Sequence, residues 1–520
     1  MQIETAAPRP WTAGVITRSR ILLLGICLLP MLAYLPLLDG VLDPDEGVYG
    51  TIARGLLDGD VPYTDYFDHK PPLIYVWYAI SLTLFGDTQE SPRLMASIVW
   101  SVTTLLVYLQ ARRVLRQQHD AMVAALLFAA SSFLVFFYPV ANTEVFMALP
   151  LMGTVLAFTM AQRTGGHLGL YLLAGVLGGL AILTKPVAAW TMLALLVYMA
   201  TMPKSPGYWK DIRHATTGLA LGAGLVLLLG ALPFVALGAF DDFFYANVTY
   251  NLGYSSGLSA TDRLEWLVAG VRILIPGGGP FVLATLVALA SKQARQAFLD
   301  FKLPVLLLLA SALSVLTSGY IFGHYFVAMF PFMAILGAAV VSRWRAFLAL
   351  PRYGSNVGTV RRLAAMLVTV GVRYGLTAGL VIGMGINNAN MIAPILRSDE
   401  NSFHRLSAYI EDNSTTSDPV YVYGIGSQVY FLSDRQPASR YMYNQPFVKD
   451  PRALEEAIEE LTHSRPVFIA DVSLDQPDTT LVAPMNEKFR AFLSEYYEFV
   501  GSIEVASEND IFLYRLRAID

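Results

Sequence analysis

Three carboxylates crowd four positions in the segment Asp43-Pro44-Asp45-Glu46. A carboxylate there can take a proton from an attacking hydroxyl. Asp43 and Asp45 also carry the oxygen donors that a divalent cation such as Mg or Mn takes. The same run suits a helix N-terminus, with Asp45 opening the helix and Glu46 in its first turn. His69 and Lys70 stand directly before Pro71 and Pro72. Lys70 can pair with a lipid phosphate as a point charge, or snorkel as an interfacial lysine. His69 suits a ligand or an interfacial hydrogen-bonding histidine, and Asp65 and Asp68 read as solvated loop residues. Glu144, in ANTEVF, is a second acid; Asn142 or Thr143 beside it can cap a helix. Lys185 in LTKP sits at the tip of an apolar hairpin, and His324 and Tyr325 fall in SGYIFGHYF. Each of the last two can donate to a phosphate, and Tyr325 also suits an aromatic belt.

The elements that position these residues follow from composition. Of 520 residues, 55% are hydrophobic and 15% charged, with a mean hydropathy of +0.50. Soluble domains carry about a quarter charged residues. Apolar runs fill 21–393, and the remainder is ordinarily polar. The pattern predicts a membrane body, 1–393, followed by a soluble domain, 398–520. A net charge of −4 supplies no basic face for nucleic acid. The one cysteine, Cys27, lies in an apolar run, which excludes an internal disulfide and a thiolate metal cluster. Arg9, Arg18 and Arg20 precede the first apolar run, which lacks a small-residue cleavage site and reads as a retained span.

A membrane-crossing helix needs roughly 17–25 apolar residues. Candidate spans are 21–38, 94–111, 121–138, 145–161, 168–184, 186–202, 216–238, 266–291, 303–318, 325–341 and 374–393. Lys and Arg in the connecting loops concentrate on one side, which predicts a cytoplasmic N-terminus. About eleven spans then put the C-terminal domain outside. Segment 364–372 reads as cytoplasmic and interfacial, because Arg373 follows it. The long first outside loop, 39–93, should carry a helix over 46–58 and a second over 73–85. The second is too short to cross, so both are expected along the outer surface. The C-terminal domain should be α/β, with strands at Val420–Tyr423, Val467–Ala470, Ile503–Val505 and Ile511–Tyr514 and helices over 452–462 and 487–497. It carries no nucleotide fingerprint. This topology gathers Asp45, Glu46, Lys70, Glu144, Lys185 and His324 at one membrane face, as a lipid-phosphate substrate requires.

The run DEGVYGTIARGLL, then FDHKPPLIYVWYAI and SPRLMAS, resembles the GT-C class of multi-span glycosyltransferases. Within it the likeness is to the bacterial dolichyl-phosphate-mannose-protein mannosyltransferase group, which includes the aminoarabinose transferases of lipid A. It covers roughly residues 20–340, including LTKP and GHYFVAMFPF. The resemblance implies a multi-pass enzyme of the bacterial inner membrane. It implies that Asp45 and Glu46 lie beside the reacting sugar and that Lys70 holds the carrier phosphate. It further matches Glu144 to a second acidic position, where many members carry Asp, Lys185 to the lysine of LTK, and His324 and Tyr325 to residues before a late span.

The expected reaction is transfer of a monosaccharide from a polyprenyl-phosphate carrier to a glycolipid, glycan or protein hydroxyl. Asp45 would act as general base, Glu46 or Glu144 would orient the acceptor or a metal, and Lys70 with Lys185 or His324 would steady the phosphate. A transporter or flippase of a lipid-linked sugar is an alternative, but transporters are built on internal repeats and none is visible. An oligosaccharide ligase using a pyrophosphate carrier is another; Arg54, Arg93, Arg263 and Arg272 keep it open. A membrane receptor that binds through its C-terminal domain leaves the acidic first loop without a purpose.

Overall fold

The computed structural model describes residues 18–133, 141–204, 206–253, 258–272, 301–348, 402–472, 487–503 and 511–518. Its membrane body begins with α1 (Arg18–Tyr34), α2 (Pro44–Asp58), α3 (Leu73–Phe85), α4 (Glu90–Leu115) and α5 (Gln118–Ser131). It continues with α6 (Thr143–Arg163), α7 (Leu168–Thr184), α8 (Ala189–Ala200) and α9 (Tyr208–Ala236). Further helices run over 260–272, Lys302–Thr317 and Phe330–Leu348, the last entered through a 3-10 segment, Gly323–Met329. Among the described residues, four stretches are long and apolar enough to cross a membrane: Arg18–Leu37, Glu90–Leu115, Thr143–Arg163 and Tyr208–Ala236. Shorter apolar helices fill most of the other expected positions. The candidate 266–291 is described only to residue 272, and 364–372 and 374–393 lie outside the described residues.

Two helices start earlier than the apolar pattern indicates. α4 opens at Glu90 and α9 at Tyr208, because backbone hydrogen bonding continues through polar turns that hydropathy excludes. Outer faces are greasy: Leu225, Leu228, Leu229 and Leu232 of α9 are exposed, as lipid contact demands. Inner hydroxyls bond back to their own helices, Thr103 to Val99 O at 2.7 Å and Thr154 to Pro150 O at 2.9 Å. α7 and α9 meet backbone to backbone. A Cβ on Gly222 would come within 2.4 Å of Leu172 O, so only glycine fits there.

The first loop folds as its spacing predicts. Pro44 opens α2 at the N1 position, where a missing N–H costs nothing, and Gly59 closes it at φ 104°. Pro72 precedes α3, and Gly86 caps its far end.

Among the described residues, the C-terminal part builds a four-stranded sheet of β1 (Val420–Tyr423), β2 (Phe468–Asp471), β3 (Tyr497–Ile503) and β4 (Ile511–Leu516). Its order is β1-β2-β4-β3; β1 and β2 run parallel and the other pairs antiparallel. Helices Ser402–Asn413, Pro451–Ser464 and Glu487–Tyr496 accompany it. The third strand is the main departure from expectation. It is described over Tyr497–Ile503, opening six positions before the sequence reading began it, and residues 504–505 of the expected strand lie outside the described residues. Only Tyr497 of this edge strand is buried, so its apolar alternation was invisible.

Candidate active site

The acidic run at the head of α2 divides its labour. Asp43, not Asp45, is the cap: its side chain accepts from Asp45 N at 3.0 Å, and Glu46 Oε2 accepts from Asp43 N at 3.1 Å. This reciprocal capping box follows from Pro44 taking the first helical position. Burial, with the Asp45 and Glu46 carboxylates alongside, pushes Asp43 above the usual carboxylate range.

Glu46 is 1% exposed and fully engaged. Oε1 accepts from Arg93 Nε at 3.0 Å and from Ala141 N at 2.9 Å, and Oε2 accepts from Arg93 Nη2 at 2.7 Å. Arg93 also donates to Leu37 O, Gly40 O and Val41 O at 2.7–2.8 Å. Glu46 therefore joins the end of α1, the head of α2, α4 and the entry to α6. Its bonds leave Asp45, whose side chain is 34% exposed, as the reachable acid of the pair. Arg54, one of the arginines that kept a pyrophosphate carrier open, pairs with Asp87 at 2.9 Å and Asp434 at 3.1 Å.

Lys70 is fixed from both ends. Its carbonyl accepts from Tyr63 Oη at 2.8 Å and Tyr75 Oη at 3.2 Å. Its ammonium stands 3.8 Å from Asp45 Oδ1 and 4.0 Å from Asp68 Oδ1. These are ion-pair separations, longer than a hydrogen bond.

Asp68 is not the solvated loop residue expected from its polar surroundings. It is 2% exposed and accepts from His69 N at 2.7 Å, Tyr75 Oη at 2.9 Å and Tyr443 Oη at 3.1 Å. Burial opposes its ionisation, but Lys70, His69 and Tyr75 outweigh that cost and hold the carboxyl below its usual range. His69 packs beside the Tyr250 ring, and Asn251 Nδ2 donates to its carbonyl at 2.8 Å. Burial, reinforced by Lys70, lowers the pKa of His69.

A second cluster forms where α6, α7 and the 3-10 segment meet. Asn142 caps α6 by accepting from Thr143 N at 2.7 Å. Glu144, 1% exposed, accepts from Thr143 Oγ1 at 2.9 Å and pairs with Lys185, which ends α7. The Lys185 ammonium lies 3.8 Å over the Tyr325 ring, and His324 packs edge-on against Tyr325 at 4.8 Å. Asp45 and Lys70 lie near enough to act electrostatically on both Lys185 and His324. All nine sequence candidates, Asp43 included, thus fall in two neighbouring clusters, and Glu46 bonding to Ala141 ties the first to the second. Among the described residues, no group of three His, Cys, Asp or Glu side chains is arranged to hold a metal.

An apolar groove of about 500 Å³ opens between α3, α4, α6 and α7. Leu73, three positions after Lys70, lines it with Trp77, Leu106, Leu149 and Leu177. The sequence reading missed Tyr443, which reaches Asp68 across 375 positions, and no local signal marks it.

Residues 69–235 match the dolichyl-phosphate-mannose-protein mannosyltransferase family. The chain is 27% identical over 321 residues to an undecaprenyl phosphate-alpha-4-amino-4-deoxy-L-arabinose arabinosyl transferase of Pseudomonas aeruginosa (strain UCBPP-PA14). That match covers 59% of this chain and 57% of the relative. A Serratia proteamaculans protein of the same description is 35% identical over 166 residues, 30% of each chain. In structure the chain resembles ArnT from Cupriavidus metallidurans bound to undecaprenyl phosphate, with a TM-score of 0.62 and 16% identity over 95% of this chain and 97% of that one. The oligosaccharyltransferase of Archaeoglobus fulgidus in its apo form gives a TM-score of 0.56 at 14% identity, covering 93% and 73%. The fold is therefore that of these membrane glycosyltransferases.

Proposed function

We propose that this chain, which groups by sequence and fold with the GT-C glycosyltransferases of the protein-mannosyltransferase and aminoarabinose-transferase kind, transfers a monosaccharide from a polyprenyl-phosphate carrier to a hydroxyl acceptor. The observation that carries this reading is the Asp45 carboxylate 3.8 Å from the Lys70 ammonium, with Leu73, three positions after Lys70, lining an apolar groove. An anionic head with a long apolar tail matches that juxtaposition. The prenyl chain lies in the groove, and its phosphate meets Lys70.

Asp45 is the general base. It takes the proton of the acceptor hydroxyl as that oxygen bonds to the anomeric carbon. The bond from that carbon to the phosphate oxygen breaks, and its electron pair leaves with the carrier phosphate, where Lys70 balances the growing charge. Displacement from the face opposite the phosphate inverts the anomeric centre. Glu144, held by Lys185, orients the acceptor, with His324 and Tyr325 forming the far wall. Glu46 and Arg93 hold the loop. The site faces the outside of a bacterial inner membrane, with the N-terminus cytoplasmic and the C-terminal domain outside; the acceptor is a glycolipid, glycan or protein.

Mass spectrometry of a strain lacking the gene tests the reading. A prenyl-linked sugar should accumulate while one envelope glycoconjugate disappears. Unchanged pools of both would reject it.

A further inference from the structure

α4 and α6 both begin at the candidate site and run away from it. Arg93, near the head of α4, bonds to Glu46, and Glu144 stands in the first turn of α6. About 20 residues further along each helix, at 1.5 Å per residue, Arg113 and Arg163 lie about 30 Å away, the depth of a hydrocarbon core. Four guanidiniums gather at that far end. Arg112 and Arg113 are in the last turn of α4, Arg116 caps it at φ 61°, and Arg163 ends α6. Two of them turn onto the end of α4: Arg112 Nη1 donates to Arg116 O at 3.0 Å, and Arg163 Nη2 to Arg113 O at 2.5 Å. The second contact brings Arg163 close enough to Arg113 for their like charges to act on one another.

Among the described residues, none of the four forms an ion pair with a carboxylate. The acid that follows, Asp120, is buried in the first turn of α5 and stands 3.4 Å from the His119 ring. Helix dipoles offset only part of the charge, since each helix end carries about half a negative charge against these full positive ones. The surplus requires an anion, and the neighbouring surface fits what would carry it. Val102, Leu105 and Leu109 are 43, 38 and 38% exposed, and steps of three and four put them on one face of α4. Arg112 continues that stripe three positions on. An apolar strip that runs into a cluster of guanidiniums matches an acyl chain joined to a phosphate headgroup. Guanidinium forks pair with phosphate oxygens through two parallel hydrogen bonds.

We infer that the far ends of α4 and α6 bind an anionic phospholipid in the leaflet opposite the candidate site, with its phosphate on Arg112, Arg113, Arg116 and Arg163 and an acyl chain along Val102, Leu105 and Leu109. The length of two helices separates this lipid from the proposed prenyl-phosphate site, so the inference stands apart from that reading.

The test is native mass spectrometry of the detergent-solubilised full chain, titrated with dioleoylphosphatidylglycerol, with the matching phosphatidylcholine and with soluble glycerol phosphate. Phosphatidylglycerol should bind at least about tenfold more tightly than phosphatidylcholine, and glycerol phosphate, which lacks the chains, should not be retained. Each arginine beside an anionic headgroup contributes roughly fivefold in affinity, so Arg113→Gln/Arg163→Gln should weaken phosphatidylglycerol about 25-fold and leave phosphatidylcholine unchanged. Lys204 and Lys210 are exposed around the start of α9, at the same end, where His214 Nδ1 meets Gly166 O at 2.9 Å. Lys204→Gln/Lys210→Gln removes the same charge and should change binding by no more than about twofold, because salt screens dispersed surface charge. Equal affinity for the two lipids, an equal loss in the lysine variant, or retention of glycerol phosphate overturns the inference. Should Arg113→Gln/Arg163→Gln fail to fold, which its melting temperature in phosphatidylcholine micelles reveals, the exposed pair Arg112→Gln/Arg116→Gln carries the same prediction, and wild-type affinity in that variant overturns it.

Discussion

Glu46 and Arg93, 47 positions apart, meet side by side through two hydrogen bonds of 2.7 and 3.0 Å, and both are almost wholly buried. The pair joins the loop that carries Asp45 to α4, and the Glu46 bond to Ala141 N carries the tie onward to α6. Removing one partner of a buried pair leaves the other charge uncompensated, at a cost of about 3–5 kcal/mol. Glu46→Ala should therefore lower the melting temperature sharply, and Arg93→Ala should do the same. Thermal unfolding in detergent reads both. The two losses should not add in the double variant; additivity would mean that the residues act separately.

Asp45 and Glu46 are adjacent, but their substitutions should behave oppositely. Asp45 has a partly exposed side chain and takes no part in that network. Asp45→Asn should keep the melting temperature and lose at least about a hundredfold in turnover, the usual share of a general base. Single-turnover transfer from a prenyl-linked sugar measures it. Near-normal turnover would remove Asp45 from the reaction.

Both helices of the first loop could be read in advance, because apolar spacing, Pro44, Pro71–Pro72 and Gly59 are local signals. Asp45 and Lys70, the pair to which we assign the chemistry, lie in short motifs and so could be singled out locally. The roles of Glu46 and Asp68 were not. Burial decides each, and it is imposed by Arg93 and Ala141 in one case and by Tyr443 in the other. A buried, triply bonded aspartate and a solvated one look alike in sequence when the burying partner is hundreds of residues away. β3 stayed hidden for a related reason: it is an edge strand exposed over most of its length.

His69 supplies a pH dependence whose sign can be worked out. Burial lowers its folded-state pKa, so the folded protein resists a proton that the unfolded chain accepts near the ordinary histidine value of about 6.5. Between the two values the unfolded state binds more protons, and stability rises with pH. The contribution is complete above about 6.5 and is lost as pH falls toward the lowered folded value. His69→Gln should flatten the fall in melting temperature between about pH 7 and pH 5. A wild-type slope retained in the variant would assign the effect to other groups.

Lys185 is held by two different forces, the Glu144 carboxylate and the face of the Tyr325 ring. Tyr325→Phe keeps the ring face, and Tyr325→Leu abolishes it. A desolvated cation–π contact contributes about 2 kcal/mol. Transfer by Tyr325→Phe should stay within about threefold of the wild type, whereas Tyr325→Leu should lose about thirtyfold, the rate equivalent of that energy. Equal losses in both would point to the hydroxyl rather than the ring. Steady-state rates with a prenyl-linked sugar separate the cases.

The last prediction concerns how the C-terminal domain seats on the first loop. Gly47, two positions after Asp45, faces the helix Gln428–Ser433 so closely that a Cβ there would lie 2.3 Å from Gln428 Cα and 2.4 Å from Gln428 N. Backbone atoms cannot swing aside as a flexible side chain can, so the helix itself would have to move. Gly50, nearly one turn on, meets the Phe431 ring in the same way. Gly47→Ala also raises helix propensity within α2, by about 1 kcal/mol, so any loss must come from undocking. The variant should expose the domain to limited proteolysis and reduce transfer, while the membrane body keeps its melting transition. Gly59→Ala serves as the contrast: its Cβ would meet nothing within 4 Å, and its φ of 104° strains the end of α2 without touching the domain. It should lower stability and leave the proteolysis pattern unchanged. If both variants cleave alike, close backbone approach is not what seats the domain.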